Sequence, residues 1–162
     1  YEKNIVSGDG DGKFRPNSNI TREEFIKLVM EAFGFEKSTE TGFDDVDEKA
    51  WYAAYVGGAV KNNIINGISD NRFGVGENIT RQDMAVIIYR VLTGIDVELK
   101  NTYEYTFADS GDISDYAVEA IKSLSGAGII NGVGNAEFKP LGNSTRAQAC
   151  SVIYKALLLL DK

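Results

Sequence analysis

Three arginines, each directly following a threonine, recur at positions 22, 81 and 146. A guanidinium offers a planar fork suited to a carboxylate or a phosphate, so these residues define the first chemical possibility: binding of an anion. A second possibility lies in "GDGDGKF" (8–14), where carboxylates alternate with glycines as in a calcium loop. An EF-hand needs oxygen ligands at positions 1, 3 and 5, glycine at 6 and glutamate at 12. Counted from Asp9, Lys13, Phe14 and Ile20 stand at 5, 6 and 12; counted from Asp11, Lys13 stands at 3 and Arg22 at 12. Neither frame supplies the ligands, and the stretch reads as a glycine-led turn with no metal.

Composition removes other chemistries. The chain has no histidine, which excludes the usual hydrolase triads and most zinc sites. Its net charge of −7 argues against nucleic acid. With 43% hydrophobic residues in a length of 162, it can bury a real core. The apolar run "ALLLL" (156–160) is far too short to insert in a membrane. Cys150, the single cysteine, reads as a small core residue. No cofactor is implied. Tyr1 is not a native start, so an export signal is expected upstream.

What positions the arginines is a repeat. Without a gap, "NIVSGDGDGKFRPNSNITREEFIKLVMEAF" from Asn4 aligns with "NIINGISDNRFGVGENITRQDMAVIIYRVL" from Asn63 and "GIINGVGNAEFKPLGNSTRAQACSVIYKAL" from Gly128. Gly8, Gly67 and Gly132 coincide, as do Phe14, Phe73 and Phe138, then Thr21, Thr80 and Thr145, then the arginines. A further block precedes the second and third glycines, pairing Phe43, Asp45 and Trp51 with Phe107, Asp109 and Tyr116. The first repeat lacks it. The repeats divide the chain into 1–36, 37–97 and 98–162, with polar linkers at 36–40 and 98–100.

Each repeat reads as helix, glycine-bearing loop, helix. Trp51, Tyr55, Val56, Ala59 and Val60 keep helical spacing, as do Tyr116, Ala117, Ala120, Ile121 and Leu124. The loop is pinned by a buried phenylalanine (Phe14, Phe73, Phe138). Thr21 with Glu24 and Thr145 with Gln148 predict capping boxes, and Thr80 with Asp83 a shorter variant. Ile20 with Phe25 and Ile79 with Met84 predict hydrophobic staples; Ser144 with Ala149 provides none. Behind each arginine runs an apolar stripe: Phe25, Ile26, Val29, Met30, Phe33; Met84, Ala85, Ile88, Tyr89, Leu92; Ala149, Cys150, Ile153, Tyr154, Leu157. Each arginine begins its stripe and should therefore aim toward the packed side.

Two readings of the arginines follow. One is an anion pocket formed with the free N–H groups of the helix start. The other is an internal salt bridge to an aspartate such as Asp45 or Asp109, orienting neighbouring repeats. Trp51 and Tyr116 also read two ways: as core residues opening a helix, or as flat faces supporting a sugar ring or methyl group.

These elements resemble the surface-layer homology (SLH) module of bacterial cell-surface proteins. The resemblance spans nearly the whole chain. It rests on "ITREE" (20–24), "ITRQD" (79–83) and the divergent "STRAQ" (144–148), with the Phe-x-Asp to Trp/Tyr-Ala opening and the Ile-x-Gly to Phe-x-Pro loop. It implies an all-α fold of three helix-loop-helix repeats in a pseudo-threefold arrangement around a central helical core, the first repeat truncated. It also implies non-covalent attachment to a peptidoglycan-linked secondary cell wall polymer, through a terminal N-acetylmannosamine bearing a pyruvate ketal, and a location at the bacterial surface. By that resemblance Arg22, Arg81 and Arg146 contact the carboxylate and Trp51 and Tyr116 line the grooves. Gly67 and Gly132 let the backbone approach the sugar, and Asp45 and Asp109 complete the candidate set. The Trp51 groove ranks first, and the truncated repeat leaves room for helix exchange with another chain. The alternative function is a structural protein-interaction module in a surface lattice. An enzyme is not expected, because candidate acids that recur by repeat do not make an asymmetric acid and base.

Overall fold

The computed structural model describes residues 13–102, 104 and 106–160. Most of the "GDGDGKF" turn thus lies outside the described residues, which begin at Lys13. The fold is all-α. Its helices are α1 (Arg22–Phe33), α2 (Ala53–Lys61), α3 (Arg81–Gly94), α4 (Asp115–Gly126) and α5 (Arg146–Leu157), with a short 3-10 turn at Ser110–Asp112. Among the described residues the only β-type pairing is a set of isolated bridges.

Helices α1, α3 and α5 start where the threonines direct. The hydroxyls of Thr21, Thr80 and Thr145 each accept from the backbone N–H three residues on. Glu24 and Gln148 reach back to close a capping box. Asp83 does not: its side chain is one methylene shorter, and it is engaged elsewhere. The stripes of α1 and α3 are buried in one continuous core, save for the half-buried Phe33 and Tyr89. The stripe of α5 is incomplete. Ala149 and Ile153 are buried, whereas Cys150 and Leu157 are only partly covered and Tyr154 is 63% exposed. Cys150 is therefore not the core residue expected from its apolar neighbours, although partial burial pushes its thiol pKa up.

Helices pair across repeat boundaries. The first helix of repeat 2 (α2) packs on α1, and the first helix of repeat 3 (α4) packs on α3. At the α1–α2 contact, Gly57 and Gly58 admit the linker. A Cβ on Gly57 would strike the Ser38 carbonyl, and one on Gly58 would come within 2.5 Å of both the Glu36 carbonyl oxygen and the Met30 methyl. Helix α5 packs against α1 and α3.

The repeats interlock in cyclic order just before these helices. The Ile20 N–H donates to the Ser144 carbonyl, Ser144 to Ile79, and Ile79 to Ile20. The Arg22 N–H donates to Glu77 O, Arg81 to Gly142 O and Arg146 to Ser18 O. The first N–H freed at each of these helix starts is thus satisfied by the next repeat, and the third by the threonine cap.

Candidate functional site: the inter-repeat grooves

The arginine side chains follow the same cyclic rule. Arg22 Nε donates to Phe73 O at 2.9 Å, Arg81 Nε to Phe138 O at 2.7 Å and Arg146 Nε to Phe14 O at 3.0 Å. The guanidinium carbons stand 5.3, 4.7 and 5.4 Å from the corresponding ring centroids. Arg22 and Arg81 are buried, so the apolar stripes did aim them inward. Each arginine clasps the loop of the following repeat, holding both its carbonyl and its ring.

The aspartates of the Phe-x-Asp blocks do not hold the arginines directly. Asp45 accepts from the N–H groups of Phe73, Gly74 and Val75 at 2.8, 2.7 and 3.1 Å. Asp109 accepts from Phe138 at 2.8 Å and Lys139 at 2.7 Å. Burial opposes ionisation of both carboxyls, but these backbone hydrogen bonds outweigh it and hold both below the usual carboxylate range. Phe43 and Phe107 back the same loops, at 6.0 Å from Phe73 and 5.3 Å from Phe138. Phe73 and Phe138 are buried, whereas Phe14 is only half-buried.

Among the described residues a groove lies beside the clasps of Arg22 and Arg81. The first, about 400 Å³, is lined by Arg22, Gly67, Asp83, Val86, Arg90 and Tyr116. The second, about 290 Å³, is lined by Arg81, Asn131, Gly132, Gln148, Ser151 and Lys155, over an apolar floor that includes Ile130 and Val152. Advancing the first set by one repeat gives the second: Gly67 becomes Gly132, Asp83 becomes Gln148 and Arg90 becomes Lys155. The structure thus brings Arg22, Gly67 and Tyr116 together, and Arg81 with Gly132. Trp51, Arg146, Asp45 and Asp109 line neither groove.

The aromatics are not core residues. Trp51 is 55% exposed, with Lys27 Nζ 5.6 Å from its ring centroid, and Tyr116 is 58% exposed. Both open their helices toward solvent. The loop glycines answer first to the fold. Gly67 has φ of +79°, and a Cβ on it would lie 2.6 Å from Phe43; a Cβ on Gly132 would lie 2.7 Å from the Glu137 carbonyl.

Sequence reasoning missed Asp83, Arg90, Asn131 and Lys155 as groove residues. Asp83 had been read only as a cap, yet its Oδ2 lies 2.7 Å from Arg22 Nη1 and its Oδ1 accepts from the Tyr116 hydroxyl at 2.7 Å. Burial and this carboxylate raise the Tyr116 pKa to about 12, so the hydroxyl remains a donor. Gln82 Nε2 donates to the same hydroxyl at 2.9 Å. For three of them the available signal was register: Asp83 with Arg90, and Gln148 with Lys155, stand seven places apart on one helix face, turned away from the arginine of their own helix and toward that of the preceding repeat.

The chain is an all-α repeat domain whose repeats clasp one another through arginines, two of them buried, with polar-mouthed grooves beside the clasps of those two. The chain belongs to the S-layer homology domain family, whose pattern matches residues 1–26, 42–85 and 106–150. Over 159 residues it is 36% identical to an amylopullulanase of Thermoanaerobacterium thermosulfurigenes, covering 96% of this chain and 8% of that protein. It is 33% identical to exoglucanase XynX of Acetivibrio thermocellus, over 96% of this chain and 14% of the relative. A cellulosome-anchoring protein of the same species is 26% identical, over 94% of this chain and 35% of the relative. The chain therefore spans a minor part of the length of these relatives. Among the described residues no helix is long and apolar enough to cross a membrane.

Proposed function

We propose that this chain is a non-catalytic anchor holding its parent protein at the bacterial cell surface by binding a peptidoglycan-linked secondary cell wall polymer. The ligand group is a terminal pyruvylated N-acetylmannosamine. The observation that carries the reading is the pairing, in one groove, of a buried arginine with an apolar wall and a loop that approaches closely. A pyruvate ketal presents a carboxylate and a methyl on one carbon, and that wall and fork suit the two. The grooves are of the size that takes a small ligand group rather than a flat protein surface. Asp45 and Asp109 support the site at one remove, by fixing the loops, and Tyr116 offers an exposed ring at the edge of the first groove. The test is co-sedimentation with purified sacculi before and after removal of the polymer: binding should vanish with the polymer. Retention on stripped sacculi would rule the reading out.

A second reading, a protein-interaction module in a surface lattice, has one observation in its favour. The arginines already satisfy the neighbouring repeat's loop, which is a staple's work. Exchange of a helix with another chain belongs with it, because α2 and α4 cover α1 and α3 while Tyr154 and Leu158 of α5 remain exposed. Self-association independent of sacculi, seen by analytical ultracentrifugation, would favour this reading.

A further inference from the structure

The two grooves share their architecture but not their electrostatics. In the first, Arg22 is bound by Asp83 at 2.7 Å, and the other oxygen of that carboxylate is bound by Tyr116. Arg90, across the groove, also lies within the field of Asp83. A carboxylate therefore already occupies the place an incoming carboxylate would take. In the second groove the corresponding position is Gln148, whose amide oxygen is turned away to accept from the Thr145 N–H. Arg81 there donates to two neutral carbonyls, Phe138 O at 2.7 Å and Asn131 O at 2.9 Å. Burial opposes its charge and Asp109 supports it from a distance, without forming an ion pair. Lys155 adds a second cation, and among the described residues no acidic one lines the groove.

We propose that the groove at Arg81, with Asn131 and Lys155, is the one that takes the anionic end of the ligand, and that Asp83 closes the groove at Arg22 to anions. The inference rests on the anchoring reading and specifies it: of these two grooves, the second takes the carboxylate-bearing ligand. Two charges of like sign cannot share the Arg22 fork without large loss of affinity, whereas the Arg81 fork gains a counter-ion it lacks. Replacing the Asp83 carboxylate with an amide leaves its backbone bond to the Thr80 cap in place and releases the Arg22 charge to the groove.

The experiment is an amide NMR titration of the 162-residue chain with the methyl glycoside of pyruvylated N-acetylmannosamine, alongside its carboxyl methyl ester. Shifts should arise at Gly132, Ser151 and Lys155, leave Gly67 and Arg90 unmoved, and be absent with the ester. Lys155→Glu should weaken binding about tenfold or more, with Lys155→Gln intermediate, as expected for a cation at the mouth of a charged site. Asp83→Asn should add a second set of shifts at Gly67 and Arg90. Thermal melts of each variant keep folding separate from binding. Shifts at Gly67 in the parent chain, or indifference to Lys155→Glu, would overturn the inference. If sacculi bind in a polymer-dependent manner but the glycoside produces no shifts at the second groove, the inference falls and anchoring stands. If sacculi do not bind at all, both fall.

Discussion

The clasp of Arg81 on the third repeat and that of Arg146 on the first use the same atoms, yet they differ in what receives them. The loop under Arg81 is braced from behind: Phe138 is buried against Phe107, and its N–H and that of Lys139 are held by Asp109. Under Arg146, Phe14 is half-buried, and no phenylalanine or aspartate of an equivalent block stands behind it among the described residues. Arg146 also lies 3.7 Å from Glu24, where Arg81 makes no ion pair among the described residues. The strength of such a clasp is thus set by the rigidity of the loop that accepts it, since a guanidinium gains most from a carbonyl and ring already held in place.

The contrast is broken most directly by removing each arginine. Arg81→Ala leaves two carbonyls without their charged donor and opens space against Phe138, and should cost about 3 kcal/mol. Arg146→Ala, where the receiving phenylalanine is only half-buried, should cost ~1.5 kcal/mol. Urea denaturation of the two variants checks the order, and equal losses would remove the role assigned to loop bracing. Next in size is the brace itself. Asp45→Asn places an amide NH₂ where the Gly74 and Val75 N–H groups now donate, and should cost about 2 kcal/mol at neutral pH after allowance for partial exposure. Because the folded carboxyl is held below its ordinary value, that advantage is complete above ~4, the unfolded aspartate pKa, and fades only as pH falls below it toward the folded value. A parent-minus-variant difference that declined between pH 7 and 5 would contradict this. Asp109, with two backbone donors instead of three, should show the same profile at smaller amplitude.

Much of this was legible in the sequence, for a physical reason. Threonine caps, the helical stripes and the inward arginines are local consequences of residue type and spacing, and three copies in register made each one readable. Partners across repeats were not, because the repeat alignment compares positions that are equivalent and says nothing of which neighbours touch. Hence Asp45 was matched to the arginines although backbone amides hold it, and Asp83 was taken for a cap although its side chain crosses to Arg22 and Tyr116. Trp51 and Tyr116 misled in another way: aromatics on a helical period look like core, yet their place at the helix start turns them outward. The incomplete stripe of α5 shows the limit of periodicity, which marks a face but cannot say whether anything packs on it.

A weaker version of the same asymmetry lies at the helix starts. Thr145 sits in a full capping box, whereas Thr80 receives only the Asp83 N–H; Thr145→Ala should therefore cost ~1.5 kcal/mol and Thr80→Ala ~1 kcal/mol. The smallest effect should have the opposite sign. In the ring where Ile20, Ile79 and Ser144 exchange backbone hydrogen bonds, two members bury apolar side chains and the third buries a hydroxyl whose oxygen has no partner. A buried hydroxyl without a hydrogen bond is less favourable than a methyl of similar shape. Ser144→Ala requires no extra space and should raise stability by ~0.5 kcal/mol, read as a small upward shift in melting temperature. A downward shift would mean that the hydroxyl is satisfied in solution, for instance by a trapped water, and that the third junction is closed by a polar contact where the other two close by packing.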